Sequence, residues 1–239
     1  MKKVSIIIPV YNEEKTIIQI LKKINLEKKK IKNFVFEIIV INDNSTDKTK
    51  KLLDKEKNLY DKFHTHNKNY GKGEAIKSGL NICTGEYVLF QDADLEYDVN
   101  DYSKILFPIS NYSADIVMGS RFKGSEVTRC FNFTNLLGNK LIIFLFRILY
   151  NSTLSDIYCC YLVFKKELIY KNISTLFCKG FAGQAEILSL IVPRAKKIYE
   201  VPVNYYGRTK EEGKKIRYYH IFSIILIMFI NKFRNLFKI

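Results

Sequence analysis

GEYVLFQDAD, at residues 85–94, is an apolar run that ends in two carboxylates two positions apart. The length and composition of residues 87–91 are typical of a buried β-strand. Because residues i and i+2 of an extended chain point the same way, Asp92 and Asp94 can direct both carboxylates toward one point beyond the strand. Two negative charges that close repel each other unless a cation lies between them. Carboxylate oxygens suit Mg²⁺ or Mn²⁺, and Glu96 could supply a third oxygen.

The rest of the first half favours this cation site over its alternative, a solvated turn. Apolar runs typical of strands alternate with helical stretches, the strands at residues 4–10, 34–41, 62–66, 87–91 and 116–119. Such alternation predicts a mostly parallel sheet covered on both faces. Ligands bind beyond the carboxyl ends of the strands in such sheets, and Asn12, Asp43 and Asp92 all lie at those ends. We expect the first helix to begin at Asn12, with Glu13 and Glu14 in its first turn.

Composition limits the partners and the compartment. The 239 residues are 47% hydrophobic, which permits a sizeable core and excludes wholesale disorder. The five cysteines form no CxxC pair, and no N-terminal stretch resembles a signal peptide, so we expect reduced thiols in the cytosol. The formal charge of +15 suits nucleic acid, an anionic membrane or phosphorylated substrates. Because no zinc-finger spacing or aromatic RNA-binding motif accompanies this charge, we expect no nucleic-acid partner.

Two strongly apolar segments lie in the second half, at residues 131–150 and 217–236. Polar residues interrupt both, and a membrane-spanning helix needs about 20 apolar residues, so we do not expect either segment to span. One interpretation is a pair of helices in the membrane interface, with lysine and arginine side chains reaching outward. The alternative is that both helices are buried against protein. We expect residues 1–216 to form a catalytic domain and residues 217–239 a membrane-associated helix.

An ordered set of short motifs extends over almost the whole chain. They are IIIPVYNEE at residues 6–14, NDNSTD at 42–47, NYGKGEA at 69–75, DAD at 92–94 and GSRF at 119–122. Together they resemble the GT-A-fold family 2 glycosyltransferases, above all the dolichol- or polyprenyl-phosphate sugar synthases. The resemblance implies a mostly parallel α/β sheet flanked by helices. It also implies an inverting, metal-dependent transfer of a sugar from a nucleotide donor to a polyprenyl phosphate, by an enzyme peripheral to the cytoplasmic face of the membrane.

The resemblance assigns roles to the matching positions. The metal ligands would be Asp92, Asp94 and Glu96, holding Mg²⁺ or Mn²⁺ on the donor diphosphate. The nucleotide-sugar ligands would be Pro9, Tyr11, Asn12, Glu13, Ile41, Asp43, Lys72, Asp92 and Ala93. The phosphate ligands would be Arg121, Arg208 and Lys214, the last two in a basic loop at residues 207–216. The catalytic candidates are Asp94, Arg121, Asp156 and Glu186.

Two departures from the family pattern bear on the acceptor and the donor. Asn42 stands where the family usually has an acid, which leaves the nucleotide base open. Residues 184–186 are Gln-Ala-Glu where many relatives have acid-proline-acid. A lipid monophosphate is largely dianionic at pH 7, its second pKa being about 6, and needs no base to attack. A sugar hydroxyl on a polysaccharide or lipid-linked glycan is the alternative acceptor, and it would need Asp156 or Glu186 as base.

Other interpretations are weaker. A nucleotidyltransferase would want a glycine-rich loop bearing Arg or Lys after the first strand, which residues 9–12 do not provide. A non-catalytic membrane-associated binding protein would have little use for the acids. Arg121 could instead form a surface ion pair. We expect His64 and His66 to be ordinary strand residues, away from the acids, because two histidines alone make a poor metal site. The donor sugar, the lipid length and a homo-oligomeric state stay open.

Overall fold

The computed structural model describes residues 1–124, 129, 133–177, 180–208 and 220–237. Within them, seven strands form one sheet: β1 (Lys2–Val10), β2 (Phe34–Asn42), β3 (Lys62–Thr65), β4 (Tyr87–Phe90), β5 (Ile116–Ser120), β6 (Leu162–Lys165) and β7 (Ile198–Pro202). Their order across the sheet is β3-β2-β1-β4-β6-β5-β7. The first four are mutually parallel, β6 runs antiparallel between β4 and β5, and β7 is parallel to β5. The predicted mostly parallel α/β sheet is therefore confirmed.

The helices of the described chain are α1 (Ile17–Lys30), α2 (Thr49–Lys55), α3 (Lys72–Ile82), α4 (Tyr102–Tyr112), α5 (Phe133–Tyr150), α6 (Ala182–Ile191) and α7 (His220–Phe237). In α1 the buried residues Ile17, Ile20, Leu21 and Ile24 recur at the spacing of one helix face. In β1 the consecutive residues 6–8 are fully buried, which requires cover on both faces of the sheet. The apolar runs predicted from the sequence are therefore buried strands of the sheet.

The turn after β1 differs from the sequence prediction. The first helix begins at Ile17 rather than at Asn12, and its first turn holds no acid. Asn12 takes a left-handed backbone conformation, with φ of 52°, which is incompatible with a continuous right-handed helix. The backbone N–H of Glu13 donates instead to Thr49 Oγ1 at 2.9 Å. Residues 12–16 thus form a turn that is tied to the start of α2, and Glu13 lies outside the helix.

The two apolar segments form the helices α5 and α7, which pack against each other, while α7 also packs on α6. The Tyr150 hydroxyl donates to the Met228 backbone oxygen at 2.6 Å and joins the two helices. Both helices bury one face and expose apolar side chains on the other, including Phe133 and Phe222, which are 76% and 75% exposed. Among the described helices, α5 alone is long and apolar enough to cross a membrane, by length and composition only.

Candidate active site

The carboxyl ends of β1, β2 and β4 meet at one edge of the sheet, as the strand pairing requires. The chain reverses sharply after each of these strands. Three residues there have left-handed backbones, Asn12 (φ 52°), Asn44 (φ 58°) and Leu95 (φ 61°). Asparagine adopts this conformation readily, but leucine does so at a cost of about 1–2 kcal/mol. Leu95 separates Asp94 from Glu96, so this backbone cost is concentrated among the acids that follow β4.

Asp92 and Asp94 each contact a different cation of the chain. Lys72 Nζ lies 2.5 Å from Asp92 Oδ1, and Arg208 Nη2 lies 2.8 Å from Asp94 Oδ2. Lys72 is the first residue of α3, and Gly71 before it has a φ of 93°, a conformation that favours glycine. The sequence predicted neither partner for its aspartate. The acids therefore share an edge of the sheet, but their negative charges are compensated separately.

Glu96 fastens the segment at residues 205–208 to the acids. Its Oε2 accepts from the Tyr205 hydroxyl at 2.9 Å, and its Oε1 accepts from the backbone N–H of Arg208 at 2.9 Å. The backbone N–H of Tyr206 also donates to the Glu96 carbonyl at 2.8 Å. Among the residues that the structure describes, no group of three or more His, Cys, Asp and Glu side chains is arranged to hold a metal ion. The role of Glu96 as a third metal ligand remains a prediction, and its observed contacts are to this segment.

Arg208 is surrounded by carboxylates from two loops. Besides Asp94, its guanidinium contacts Glu96 Oε1 at 3.2 Å and Glu13 Oε1 at 3.3 Å. Burial by itself lowers the pKa of Arg208, but Asp94 and then Glu13 outweigh burial and raise it above the usual value. Arg208 is therefore held as a cation at the point where Glu13, Asp94 and Glu96 approach one another.

Three carboxylates surround the single positive charge of Arg208, so negative charge is in excess at this point. Burial raises the pKa of Asp94 most, and the nearby charges of Asp92 and Glu96 raise it further, to about 7, although Arg208 opposes them. A carboxylate in this state gains from an additional cation beside it. The oxygen donors of Asp92 and Asp94 therefore fit a hard divalent ion such as Mg²⁺ or Mn²⁺. These two residues are the ones that would hold it.

Asp43 organises the loop between β3 and α3. Its Oδ1 accepts from the backbone N–H of Tyr70 at 2.9 Å, and its Oδ2 accepts from that of Gly71 at 2.7 Å. Its Oδ1 also lies 2.7 Å from His66 Nδ1, and His66 Nε2 lies 2.8 Å from Ser78 Oγ. The expectation that His66 lies away from the acids is wrong. The signal that could have found it is its position just after β3, at the same edge as Asp43.

The remaining residues predicted to bind the nucleotide lie at the same edge. Pro9 and Ile41 are register partners near the ends of β1 and β2. Tyr11 and Asn12 follow β1 directly, and Asn12 Oδ1 accepts from the backbone N–H of Thr46 at 2.8 Å. Ala93, between the two aspartates, is buried. The structure therefore brings the predicted nucleotide ligands together around the ends of three strands, and Lys72, at the start of α3, contacts Asp92 there.

Arg121 and Asp156 form a buried ion pair. Arg121 Nε lies 2.6 Å from Asp156 Oδ2, and Arg121 Nη2 lies 2.9 Å from Asp156 Oδ1. The Asp156 carboxylate is fully buried. The guanidinium also lies over the Tyr205 ring, 5.2 Å from its centroid. Burial lowers the pKa of Arg121, but Asp156 outweighs burial and raises it. The pair contacts the segment at residues 205–208 through the Tyr205 ring, and the roles of Arg121 as phosphate ligand and of Asp156 as base remain predictions.

The other predicted residues lie elsewhere. Glu186 is buried in α6, and its carboxylate accepts from the backbone N–H of Phe177 at 3.1 Å. It therefore contacts the loop before α6 and not a solvent-facing cleft. Lys214, a predicted phosphate ligand, lies outside the described residues. Glu186 and Lys214 keep their predicted roles as predictions only.

Comparison with known proteins gives the context for this site. Residues 5–172 match the model of the family described as Glycosyl transferase family 2. The chain is 31% identical over 226 residues to a dolichyl-phosphate beta-glucosyltransferase of Dictyostelium discoideum, covering 89% of this chain and 68% of that protein. It is 27% identical over 228 residues to the Saccharomyces cerevisiae protein of the same name, covering 84% of this chain and 66% of that protein. The chain thus spans about two thirds of the length of these relatives.

Solved structures share the fold. A glucosyl-3-phosphoglycerate synthase from Mycobacterium tuberculosis, crystallised with Mn²⁺, uridine diphosphate and its product, superimposes with a TM-score of 0.67 at 19% identity. The match covers 97% of this chain and 80% of that one. A mannosyl-3-phosphoglycerate synthase from Rubrobacter xylanophilus gives a TM-score of 0.70 at 17% identity, covering 99% of this chain and 74% of that one. At these identities the likeness concerns the fold alone.

Proposed function

The chain belongs to glycosyl transferase family 2, and we propose that it moves a sugar, with inversion, from a nucleotide donor to a polyprenyl or dolichyl phosphate at a membrane surface. The observation that carries the proposal is the pair Asp92 and Asp94 at the carboxyl edge of a parallel sheet, with Lys72 and Arg208 beside them. Two acids and two cations in one place suit a diphosphate and its metal ion. The similarity to dolichyl-phosphate beta-glucosyltransferases over 89% of the chain supports a lipid phosphate as acceptor.

The donor would bind at the ends of β1, β2 and β4. A Mg²⁺ or Mn²⁺ ion held by Asp92 and Asp94 would act as a Lewis acid that stabilises the departing nucleoside diphosphate. Lys72 adds a positive charge next to Asp92, from the first turn of a helix whose N-terminus itself favours anions. Asp43 contributes by fixing the loop before that helix through Tyr70 and Gly71, which sets where Lys72 stands.

The environments of the two candidate bases support a phosphate acceptor over a sugar hydroxyl. A hydroxyl must lose its proton to a positioned base in the transition state, whereas a phosphate dianion is already a nucleophile. Asp156 is fully buried and bound by Arg121, and Glu186 is buried and bonded to the backbone of Phe177. Neither carboxylate is presented to an incoming hydroxyl. The anionic oxygen of a lipid phosphate would attack the anomeric carbon directly, opposite the departing diphosphate, and so invert its configuration.

The outer faces of α5 and α7 supply the proposed contact with the membrane. Exposed apolar side chains on α5 include Phe144 and Ile148, and those on α7 include Phe222 and Leu226, all at least 58% exposed. The Tyr150–Met228 hydrogen bond joins the two helices, and each exposes apolar side chains of its own. The chain carries a net charge of +15, which attracts it to the anionic cytoplasmic leaflet. We propose a peripheral enzyme on that face, held by these two helices.

The acceptor is tested by product analysis. The purified chain is incubated with Mn²⁺, radiolabelled nucleotide sugars offered singly, and polyprenyl phosphate in detergent. Label that is extracted with the lipid and released by mild acid is the expected result. Asp94→Asn, which removes a proposed metal ligand, should give no labelled lipid. Asp54→Asn is its matched control, because Asp54 is an exposed carboxylate on α2, and it should label the lipid as the wild type does. Label that enters only added glycan acceptors, with none in the lipid, would overturn the phosphate acceptor in favour of the hydroxyl alternative.

A further inference from the structure

Three carboxylates meet at one guanidinium, that of Arg208. Its Nη2 lies 2.8 Å from Asp94 Oδ2 and 3.3 Å from Glu13 Oε1, and its Nε lies 3.2 Å from Glu96 Oε1. Glu13 follows β1, the other two acids follow β4, and Arg208 follows β7. Three separate parts of the chain therefore place a positive charge of the protein on an acid that we propose as a metal ligand.

A metal ion and this guanidinium compete for Oδ2 of Asp94, while Oδ1 accepts from the backbone N–H of Glu96 at 3.2 Å. Mg²⁺ binds carboxylate oxygens at about 2.0–2.1 Å, and Mn²⁺ has similar oxygen preferences. Arg208 Nη2 already contacts Asp94 Oδ2, at 2.8 Å. An ion at that oxygen would meet a like charge at close range, which is unfavourable in a partly buried site. The side chain of Arg208 must therefore leave Oδ2 of Asp94 before a metal ion binds at that oxygen.

The backbone of Arg208 is held independently of its side chain. Its N–H donates to Glu96 Oε1 at 2.9 Å, and the Tyr205 hydroxyl donates to Glu96 Oε2 at 2.9 Å. Arg129 Nη1 donates to the carbonyl of Gly207 at 2.9 Å. The guanidinium can therefore turn away from Asp94 while the segment at residues 205–208 stays in place. This movement requires rotation of one side chain and no unfolding of the segment.

We propose that Arg208 is a tethered counter-ion that competes with the divalent metal for Asp94 and turns onto the donor diphosphate when metal and nucleotide bind together. The proposal rests on the proposed function and adds an order in which metal and nucleotide bind. Metal alone must displace Arg208 into a site with no new partner, so it binds weakly. Metal that arrives with a diphosphate offers the guanidinium two phosphates, which it binds well as a planar donor. The metal is then retained mainly as part of the donor complex.

Manganese binding separates this role from a merely structural one. Electron paramagnetic resonance measures free Mn²⁺ in titrations of the full chain, first alone and then with uridine diphosphate or guanosine diphosphate. We expect Arg208→Gln and Arg208→Ala to bind Mn²⁺ alone at least about fivefold more tightly than the wild type, at the lower end of ordinary coupling between ligands. With a diphosphate that binds the wild type, the same variants bind Mn²⁺ more weakly than the wild type. Arg208→Lys, which keeps the charge, lies between the two in both titrations.

Two controls make the outcomes distinct. Arg129→Ala removes a contact of the same segment that is made to a carbonyl, and we expect it to leave the Mn²⁺ affinity without nucleotide unchanged. Arg208→Gln removes the charge but keeps a polar side chain that can donate hydrogen bonds, so it serves if Arg208→Ala does not fold. Unchanged or weaker binding of Mn²⁺ alone by folded Arg208→Gln would overturn the competition. Equal binding of Mn²⁺ by the wild type and Asp94→Asn in the presence of the diphosphate would instead overturn the metal site of the proposed function itself.

Discussion

His66 Nδ1 lies 2.7 Å from Asp43 Oδ1, and the opposite ring nitrogen of His66 lies 2.8 Å from Ser78 Oγ. This contact joins the end of β3 to an acid at the end of β2 and to the middle of α3. Asp43 uses both oxygens on the loop that leads to Lys72. His66 thus fixes the orientation of an acid that we propose to act in donor binding.

His66→Phe should weaken donor binding without altering the chemical step. The phenyl ring fills the space of the imidazole but cannot bond to Asp43, and a lost hydrogen bond to a charged group costs about 1.5–3 kcal/mol. We expect the KM for the nucleotide sugar to rise about tenfold or more, with kcat within about threefold of the wild type. Steady-state kinetics at saturating lipid phosphate provide the measurement.

Two further variants, a rescue and a control, show whether the change in donor KM comes from the contact with Asp43. His66→Asn keeps a donor near the position of Nδ1 and should restore most of the affinity. His64→Asn changes the exposed histidine two residues earlier, whose ring lies 5.4 Å from that of His66. It should have little effect, because it leaves the bonds of His66 to Asp43 and Ser78 in place. An unchanged donor KM in a folded His66→Phe enzyme would show that the contact with Asp43 is not used in binding.

Asp94→Asn should abolish sugar transfer and leave the fold intact. The asparagine cannot compensate the charge of a divalent ion, and metal ions stabilise such transition states by several kcal/mol. We expect transfer to fall by about a thousandfold or more, with an unchanged unfolding temperature. Removal of metal from the wild type with EDTA should give a similar loss that Mn²⁺ or Mg²⁺ reverses. Full activity in the presence of the chelator would contradict a metal-dependent mechanism.

Asp156→Asn tests whether Asp156 is a structural ion-pair partner of Arg121 or a general base. Breaking a buried ion pair by removing one partner costs about 3–5 kcal/mol, because the charge of Arg121 stays buried without its counter-charge. We therefore expect a marked fall in the free energy of unfolding, while the folded enzyme at low temperature keeps kcat within about tenfold of the wild type. Urea unfolding and single-temperature kinetics measure the two quantities. A loss of several orders of magnitude in kcat at unchanged stability would instead identify Asp156 as the base for a hydroxyl acceptor.

Glu37 should make the stability of the fold depend on acid pH. Burial alone would raise the pKa of Glu37, but hydrogen bonds from Ser5 and Thr84 and the contact with Lys62 outweigh it and lower the pKa from 4.5 to about 2. Since the folded protein binds this proton less readily than the unfolded chain, the stabilisation is complete above pH 4.5 and is lost as the pH falls toward 2.

Urea unfolding at successive pH values tests this dependence. In Glu37→Gln the part of the pH dependence that lies between about 4.5 and 2 should shrink, and stability at neutral pH should fall. Glu167→Gln, at a carboxylate with 74% side-chain exposure, should leave both unchanged. Identical pH profiles for the wild type and Glu37→Gln would contradict the assignment.

The strands and the edge of the site were predictable because both follow from local pattern. Apolar runs bounded by polar residues marked β1, β2 and β4, and parallel pairing then placed Asp43 and Asp92 at one edge. The start of α1 was not predictable in this way. The left-handed turn at Asn12 depends on hydrogen bonds to residues of the α2 region, which are more than 30 positions away in the chain.

The partners of the acids were also beyond local pattern. Arg208 stands 114 positions from Asp94, and no spacing rule relates two such residues. The sequence predicted a phosphate ligand in Arg208 and a metal ligand in Glu96, but it did not predict that the two residues contact each other. The antiparallel insertion of β6 between β4 and β5 is of the same kind, since it is decided by long-range pairing.

Phe222→Glu with Leu226→Glu should release the enzyme from membranes. The two side chains lie one turn apart on the outer face of α7 and are 75% and 60% exposed, so the charges disturb little of the protein core. Burying a side chain of this size in an apolar phase contributes about 1.5–3 kcal/mol, and the pair should therefore shift binding by more than tenfold. Flotation with vesicles that contain phosphatidylserine measures the bound fraction. Phe107→Glu, on α4 and 52% exposed, is the matched control and should still float. Equal flotation of all three proteins would place the membrane contact elsewhere, whereas loss in the α7 variant alone would identify the outer face of α7 as part of the membrane-binding surface.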